Sequence, residues 1–242
     1  MNKQSNTYTI LYSAIMVVVV GAVLALTYMA LKPKQEENIA NDKRMQILSA
    51  VHLTADDGDY KAVYDKYVTE TFVVNKNGEK VDGDAFSINL ANELKMQEAE
   101  IKLPVFVCTL DNGEVKYILP VYGAGLWGPI WGYVAVNNDG TTIYGAYFSH
   151  QGETPGLGAE IAKPEFQAQF EGKELYKDGE FRAIDVMKAG QKPADNTDYV
   201  NAISGGTVTS KGVEAMLKRC LTYYSAYLDQ LRKENTTNQE ST

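Results

Sequence analysis

Residues 103–149 read LPVFVCTL-DNG-EVKYILPVYGAGLWGPIWGYVAVN-NDG-TTIYGAYFS, and this stretch decides the fold. Leu103 to Leu110 and Val115 to Val121 are apolar runs of strand length, joined by Asp111-Asn112-Gly113. An Asn-Gly pair turns the backbone at positive φ, so the two runs read as a hairpin. Gly123 to Val136 opens as a glycine loop around Leu126 and Trp127 and closes as an apolar strand. Asn138-Asp139-Gly140 then turns it into another strand, Thr142 to Ser149. A strand follows the glycines, not a helix, so they form no dinucleotide fingerprint. Short strands joined by tight turns predict a largely antiparallel α+β domain rather than a doubly wound one.

Upstream of this core, Val68 to Val74 reads as a strand ending in an Asn77-Gly78 turn, and 84–102 as an amphipathic helix. Gln35 to Leu53 is a charged, helix-compatible stalk with Ile39, Met45, Leu48, Val51 and Leu53 as apolar points. Asp56-Asp57-Gly58-Asp59 is a solvated turn, because no Glu stands where a calcium loop would need one. The chain has 2 histidines, His52 and His150, and 2 cysteines, Cys108 and Cys220, and these make no ligand set at metal spacing. Both cysteines read as buried thiols. A net charge of −8 excludes a phosphate-backbone surface, so no nucleic-acid partner is expected.

Tyr8 to Leu31 carries no charge and includes the run Val17 to Val20. As a helix it spans about 36 Å, enough for a hydrocarbon core of about 30 Å. Its apolar core is longer than that of a cleaved signal, and no A-x-A site follows it, so it reads as a transmembrane anchor. Lys3 lies before it and Lys32, Lys34, Lys43 and Arg44 after it. Counted literally, this pattern puts the large domain in the cytoplasm.

Downstream lie two glycine turns. His150-Gln151-Gly152-Glu153-Thr154-Pro155-Gly156-Leu157-Gly158 is locally a rigid turn. Ser204-Gly205-Gly206-Thr207-Val208-Thr209-Ser210 precedes a helical pattern in which Val213, Met216, Leu217, Cys220, Leu221, Tyr224, Tyr227, Leu228 and Leu231 share one face. Glycines there can aim backbone amides at a phosphate, helped by the helix dipole. Ordinary helix capping explains the same residues, and local chemistry leaves both readings open. Glu234 to Thr242 reads as a disordered polar tail.

Asn201-Ala202-Ile203-Ser204-Gly205-Gly206-Thr207 resembles the D-x-x-[ST]-G-A-T pattern of the bacterial covalent FMN-binding domain family, with Asn201 in place of Asp and Gly206 in place of Ala. Glu153 to Gly158 resembles the E-T-P-G-L-G loop that lies against the flavin in that family. Within it, Gly125-Leu126-Trp127, Gly152 to Gly158, Phe166 to Gly172 and Lys173-Glu174-Leu175-Tyr176 are most similar to C subunits of sodium-translocating NADH:quinone oxidoreductases.

The resemblance implies an FMN joined by a phosphodiester to Thr207, with Ser204, Gly205, Gly206, Val208 and Thr209 around the phosphate. It implies a ring walled by Leu126, Trp127, Glu153, Thr154 and Leu157, no catalytic acid–base set and no metal ligand. It also implies a flavin transferase for maturation, partner subunits of a membrane complex, and a single-pass inner-membrane protein with its domain on the periplasmic side. The expected role is an electron relay; the alternatives are a G-type subunit of an ion-pumping ferredoxin:NAD complex and a flavin-binding regulatory module. The expected divisions are 1–34 (tail and anchor), 35–102 (stalk and start of the soluble domain), 103–233 (FMN-binding domain) and 234–242 (tail).

Overall fold

The structure is a computed structural model that describes residues 6–240, with the backbone alone at 237–240. Lys3, Ser241 and Thr242 lie outside the described residues. The chain divides between Lys43 and Arg44 into two compact units.

The first unit is the bulk of α1 (Asn6–Ser49), the one helix among the described residues long and apolar enough to cross a membrane. Its large apolar side chains from Ile10 to Leu31 are all exposed. A helix that is apolar on every side satisfies its backbone internally and needs an apolar surround for its side chains. Pro33 sits one residue past the first charge, Lys32, beyond the apolar run.

The second unit starts with the last turn of α1, where Ile47 and Leu48 are buried. There follow α2 (Tyr60–Tyr67), β1 (Val68–Val74), β2 (Lys80–Val81), α3 (Leu90–Glu93), β3 (Leu103–Thr109), β4 (Val115–Ala124), β5 (Pro129–Asn137) and β6 (Ile143–His150). Next come α4 (Pro164–Gln167), the short strands β7 (Tyr176–Lys177), β8 (Glu180–Phe181), β9 (Asp185–Met187) and β10 (Tyr199–Asn201), and finally α5 (Thr207–Glu240). The strands β1 to β6 form one sheet in the order β2-β1-β3-β4-β5-β6, antiparallel throughout. Only β9 and β10 pair in parallel. The fold is therefore α+β, with the hairpins of 103–149 at its centre.

Both faces of the sheet are covered. Val105, Leu119, Val134 and Phe148 pack with Val213, Met216, Leu217 and Leu221 of α5. On the opposite face Phe106, Ile118 and Ala135 pack with Ile47, Ala50 and Val51. A strand buried on both sides reads as a continuous apolar run, as 103–108 and 133–136 do. Tyr224 is fully buried, and its hydroxyl donates to the Pro104 carbonyl at 2.9 Å. Tyr224→Phe leaves that oxygen without this donor and is expected to cost about 1–3 kcal/mol in a denaturant melt.

Cys108 lies in the core on one face and Cys220 in the core on the other, both reduced. The sheet stands between them, and burial pushes the Cys108 thiol up to about 11. The outer edge of β6 is paired irregularly: Ile143 N–H donates to Lys173 O at 2.8 Å, and Gly172 and Leu175 N–H donate to Ile143 and Thr141 O. The opposite edge ends in β2, two residues long.

Two expectations change, and a third, the solvated turn, gains a role. In place of a helix over 84–102 there are the four residues of α3 and a 3-10 turn at Glu98–Glu100. Side chains compete for the backbone there: Asp84 accepts the Phe86 N–H at 3.0 Å and Glu93 accepts the Lys102 N–H at 3.0 Å. The acidic turn at Asp56–Asp59 has a structural use, because Asp59 Oδ1 accepts the Ala62 N–H and caps α2. At the other end α5 continues to Glu240 through residues expected to be a disordered tail. Extending a helix already nucleated and packed costs little per residue.

Candidate functional site

Three connections converge at the start of α5. The first is the tip between β4 and β5, closed by Gly125 N–H donating to Gly128 O at 2.8 Å, which projects Leu126 and Trp127. The second follows β6. Leu157 N–H donates to Thr154 O at 3.1 Å across Pro155 and Gly156, with Gly156 at φ +76. Proline before a positive-φ glycine suits this tight turn.

The third is the turn into α5. Gly206 N–H donates to Ile203 O at 3.0 Å, and Gly205 lies at φ +75. The positive φ calls for glycine at 205, and a Cβ there would also push on Leu157 Cδ2, 2.6 Å away. Ser210 Oγ accepts the Ile203 N–H at 3.0 Å and Ser210 N–H donates to Gly206 O at 2.9 Å, fixing the turn from the helix side. The amides of Thr207, Val208 and Thr209 then open a 34-residue helix with no partner among the described residues. Such amides, with the positive end of the dipole, make an anion seat. The Thr207 hydroxyl is exposed and also has no partner among the described residues.

Between the three connections lies a cleft of about 290 Å³. Of the residues expected around a flavin, Leu126, Trp127, Glu153, Thr154, Leu157, Gly205, Gly206, Thr207, Val208 and Thr209 all line it. Ser204 is exposed on the turn but is not part of the lining. Leu126, Trp127, Leu157 and Val208 are exposed by 53%, 69%, 42% and 56%. In the second unit, Met96 is the one other large apolar side chain exposed to this degree among the described residues. An apolar patch gathered around one cleft marks a place where something binds. Among the described residues three other clefts are larger, about 480, 420 and 320 Å³, but none joins free helix amides to exposed apolar side chains.

Glu153 is the buried member of the lining, only 5% exposed. Its Oε1 accepts the Trp127 N–H at 2.8 Å and its Oε2 accepts the Thr209 hydroxyl at 2.5 Å. Its own N–H donates to His150 Nδ1 at 3.2 Å. Burial raises its carboxyl, but the Thr209 hydroxyl and the Trp127 and Leu126 amides outweigh burial and hold it below the usual value. A depressed carboxyl adds stability that is present above its unfolded value and lost as pH falls through the folded one. Glu153→Gln is therefore expected to lose less stability on acidification than the wild type, as read from thermal melts across the acid range.

Gly158 also lines the cleft; it ends the loop that the resemblance sets against the flavin, but it was not among the residues expected to wall the ring. A Cβ there would overlap both Glu153 Oε2 and Thr209 Oγ1, so its role is to leave room for that bond. The signal depends on a contact across 56 residues, which no local pattern carries.

The lining suits FMN on both counts: free amides and a free hydroxyl for the phosphate, exposed apolar side chains for the ring. The chain is also similar to known proteins. Residues 125–222 match the model of the FMN-binding domain. The C subunit of the Na(+)-translocating NADH-quinone reductase of Vibrio anguillarum is 32% identical, over 88% of this chain and 89% of that one. Its counterpart in Pseudomonas aeruginosa is 33% identical, over 96% and 98%. The crystal structure of the corresponding protein of Parabacteroides distasonis superposes with a TM-score of 0.77 at 48% identity, covering 82% of this chain and 96% of that one.

Proposed function

We infer the function of this chain from one premise: it belongs to the family of C subunits of the Na(+)-translocating NADH-quinone reductase. It is an FMN-binding subunit of that enzyme, and other subunits accompany it. We infer further that the FMN phosphate sits at the first amides of α5 and is joined as a diester to Thr207 Oγ1. The observation that carries this is the Thr207 hydroxyl itself, exposed and without a partner among the described residues, at a helix N-terminus inside the apolar cleft. A flavin transferase makes the bond by moving the flavin phosphoryl from a flavin dinucleotide: the pyrophosphate bond breaks, the Thr207 oxygen takes the phosphorus, and the nucleoside monophosphate leaves with the hydroxyl proton.

Bound FMN supplies reversible electron uptake and release. The chain's own residues bind and orient it. Amides 207–209 hold the phosphate, and a diester presents one negative charge to an otherwise uncharged seat. Leu126, Trp127 and Leu157 offer the ring an apolar wall and exclude water from that side. Glu153 is the single carboxylate in the lining, and it is tied into two hydrogen bonds, so the cleft offers no free acid or base. That favours a relay between carriers over chemistry on a soluble substrate.

The helix at residues 6–31 anchors the subunit in the bacterial inner membrane. It holds no carboxylate, so sodium movement falls to the partner subunits. We place the flavin domain on the periplasmic side, against the literal count of flanking lysines.

The test is expression of the full chain with and without its flavin transferase. The mass of the co-expressed protein should rise by one FMN less one water, located on the peptide containing Thr207, and flavin fluorescence should survive denaturation. An unmodified chain in both cultures would overturn the covalent reading and leave a domain that holds FMN without a bond.

A further inference from the structure

We propose that Glu153 is the positioning residue of the cleft: its carboxylate ties the Leu126–Trp127 tip to the first turn of α5, and its charge conditions the site beside the flavin. This rests on the reading that FMN is held at Thr207.

Three observations carry it. First, Glu153 is 5% exposed and accepts from two different connections, the Trp127 amide at 2.8 Å and the Thr209 hydroxyl at 2.5 Å. No other side chain among the described residues bonds the tip to the helix start. Second, the surroundings are shaped to admit it. A Cβ at Gly125 would come 2.5 Å from Glu153 Oε1, and one at Gly158 would overlap Oε2. Third, Thr209, which takes one end of the tie, is 2% exposed and sits two residues after Thr207 in the first turn of α5.

The tie therefore sets the gap between the wall that Trp127 offers and the hydroxyl that carries the flavin. It also places a fixed negative charge beside the positive end of the helix dipole, where it is favoured. That charge counters part of the field that draws phosphate to the seat. It also lies close enough to the ring's wall to oppose the gain of an electron there.

Two substitutions separate geometry from charge. Glutamine at 153 can still accept the Trp127 N–H through its carbonyl and donate to Thr209 through its amide, but it carries no charge. Alanine keeps neither bond. The full chain is co-expressed with its transferase as wild type, Glu153→Gln, Glu153→Ala and Thr209→Val. Each is scored for labelled fraction on a denaturing gel, flavin midpoint potential and thermal melting.

Glu153→Ala is expected to lose most of its labelling, with Thr209→Val between it and the wild type. Glu153→Gln should retain more label than Glu153→Ala and shift the midpoint to a more positive potential. A purely structural role would move melting and leave the potential of the labelled protein where it was. If Glu153→Ala fails to fold, the potential of Glu153→Gln decides alone. Wild-type labelling and wild-type potential in Glu153→Gln, with Glu153→Ala folded and labelled normally, overturn the proposal. An unlabelled wild type overturns the underlying reading, and this one with it.

Discussion

Thr207→Val is expected to remove all flavin fluorescence from the denatured chain and to take the assembled complex's quinone-reductase turnover to background. The fold should survive. Thr207 is exposed at the first residue of α5 and its hydroxyl bonds to no described residue, so losing it costs the chain little, within about 0.5 kcal/mol. Thr207→Ser keeps an oxygen at the same place and should keep label and turnover in part. The measurements are a denaturing gel and NADH-driven quinone reduction on purified complex, with subunit composition checked beside them. Label lost with turnover intact would sink the relay and favour a regulatory flavin. Label retained in the valine variant would place the attachment elsewhere.

The largest loss of stability is expected from Phe148→Ala. Phe148 lies on β6 with no exposed surface, in ring contact with Phe166 and Phe170 at centroid distances of 6.2 and 5.1 Å. Those two rings meet each other at 5.5 Å. Removing one ring of the triad leaves a cavity that its neighbours cannot close, at a cost of about 3–5 kcal/mol. For a unit of this size that is a fall of roughly 10 °C in Tm. The triad also underlies the connection that carries Glu153 to Gly158: Gln167, between Phe166 and Phe170, donates to Phe148 O at 3.0 Å. Loss of the ring should therefore lower the labelled fraction too. A variant that melts like the wild type would show that the cluster is not structurally coupled in this way.

The sheet was legible because its signals are local. Asp111-Asn112-Gly113 and Asn138-Asp139-Gly140 are turn chemistry, and the runs beside them have strand length, so β3 to β6 follow from neighbouring residues. Burial on both faces was legible in the same runs, since Val105 and Phe106 are both apolar but point to opposite cores. Residues 84–102 misled for the converse reason. Leu90, Leu94 and Ile101 have helix-like spacing, but Asp84 and Glu93 hold the backbone in turns, and such competition depends on side-chain reach rather than periodicity. The cleft was legible only through resemblance. Its residues run from 126 to 209 and no period links them. What the resemblance left out is the pair of contacts that hold the cleft together: the Glu153–Thr209 bond and the bare Cα of Gly158 that makes room for it.

The way the sheet ends has a consequence for the chain before it has partners or cofactor. At its outer edge β6 pairs through Ile143 with residues 172–173 and gives Phe148 O to the Gln167 side chain, and the far side carries a two-residue strand that includes Lys80. On that far side β2 covers only Val73 and Val74, and Val68–Phe72 of β1 has no outer strand among the described residues, a short open border on which Glu70 pairs with Lys80 at 2.8 Å. On the proposed function, the subunit waits for its modifying enzyme and for assembly as a folded intermediate. A border that short and charged disfavours strand addition between copies, so the unmodified subunit should persist without polymerising.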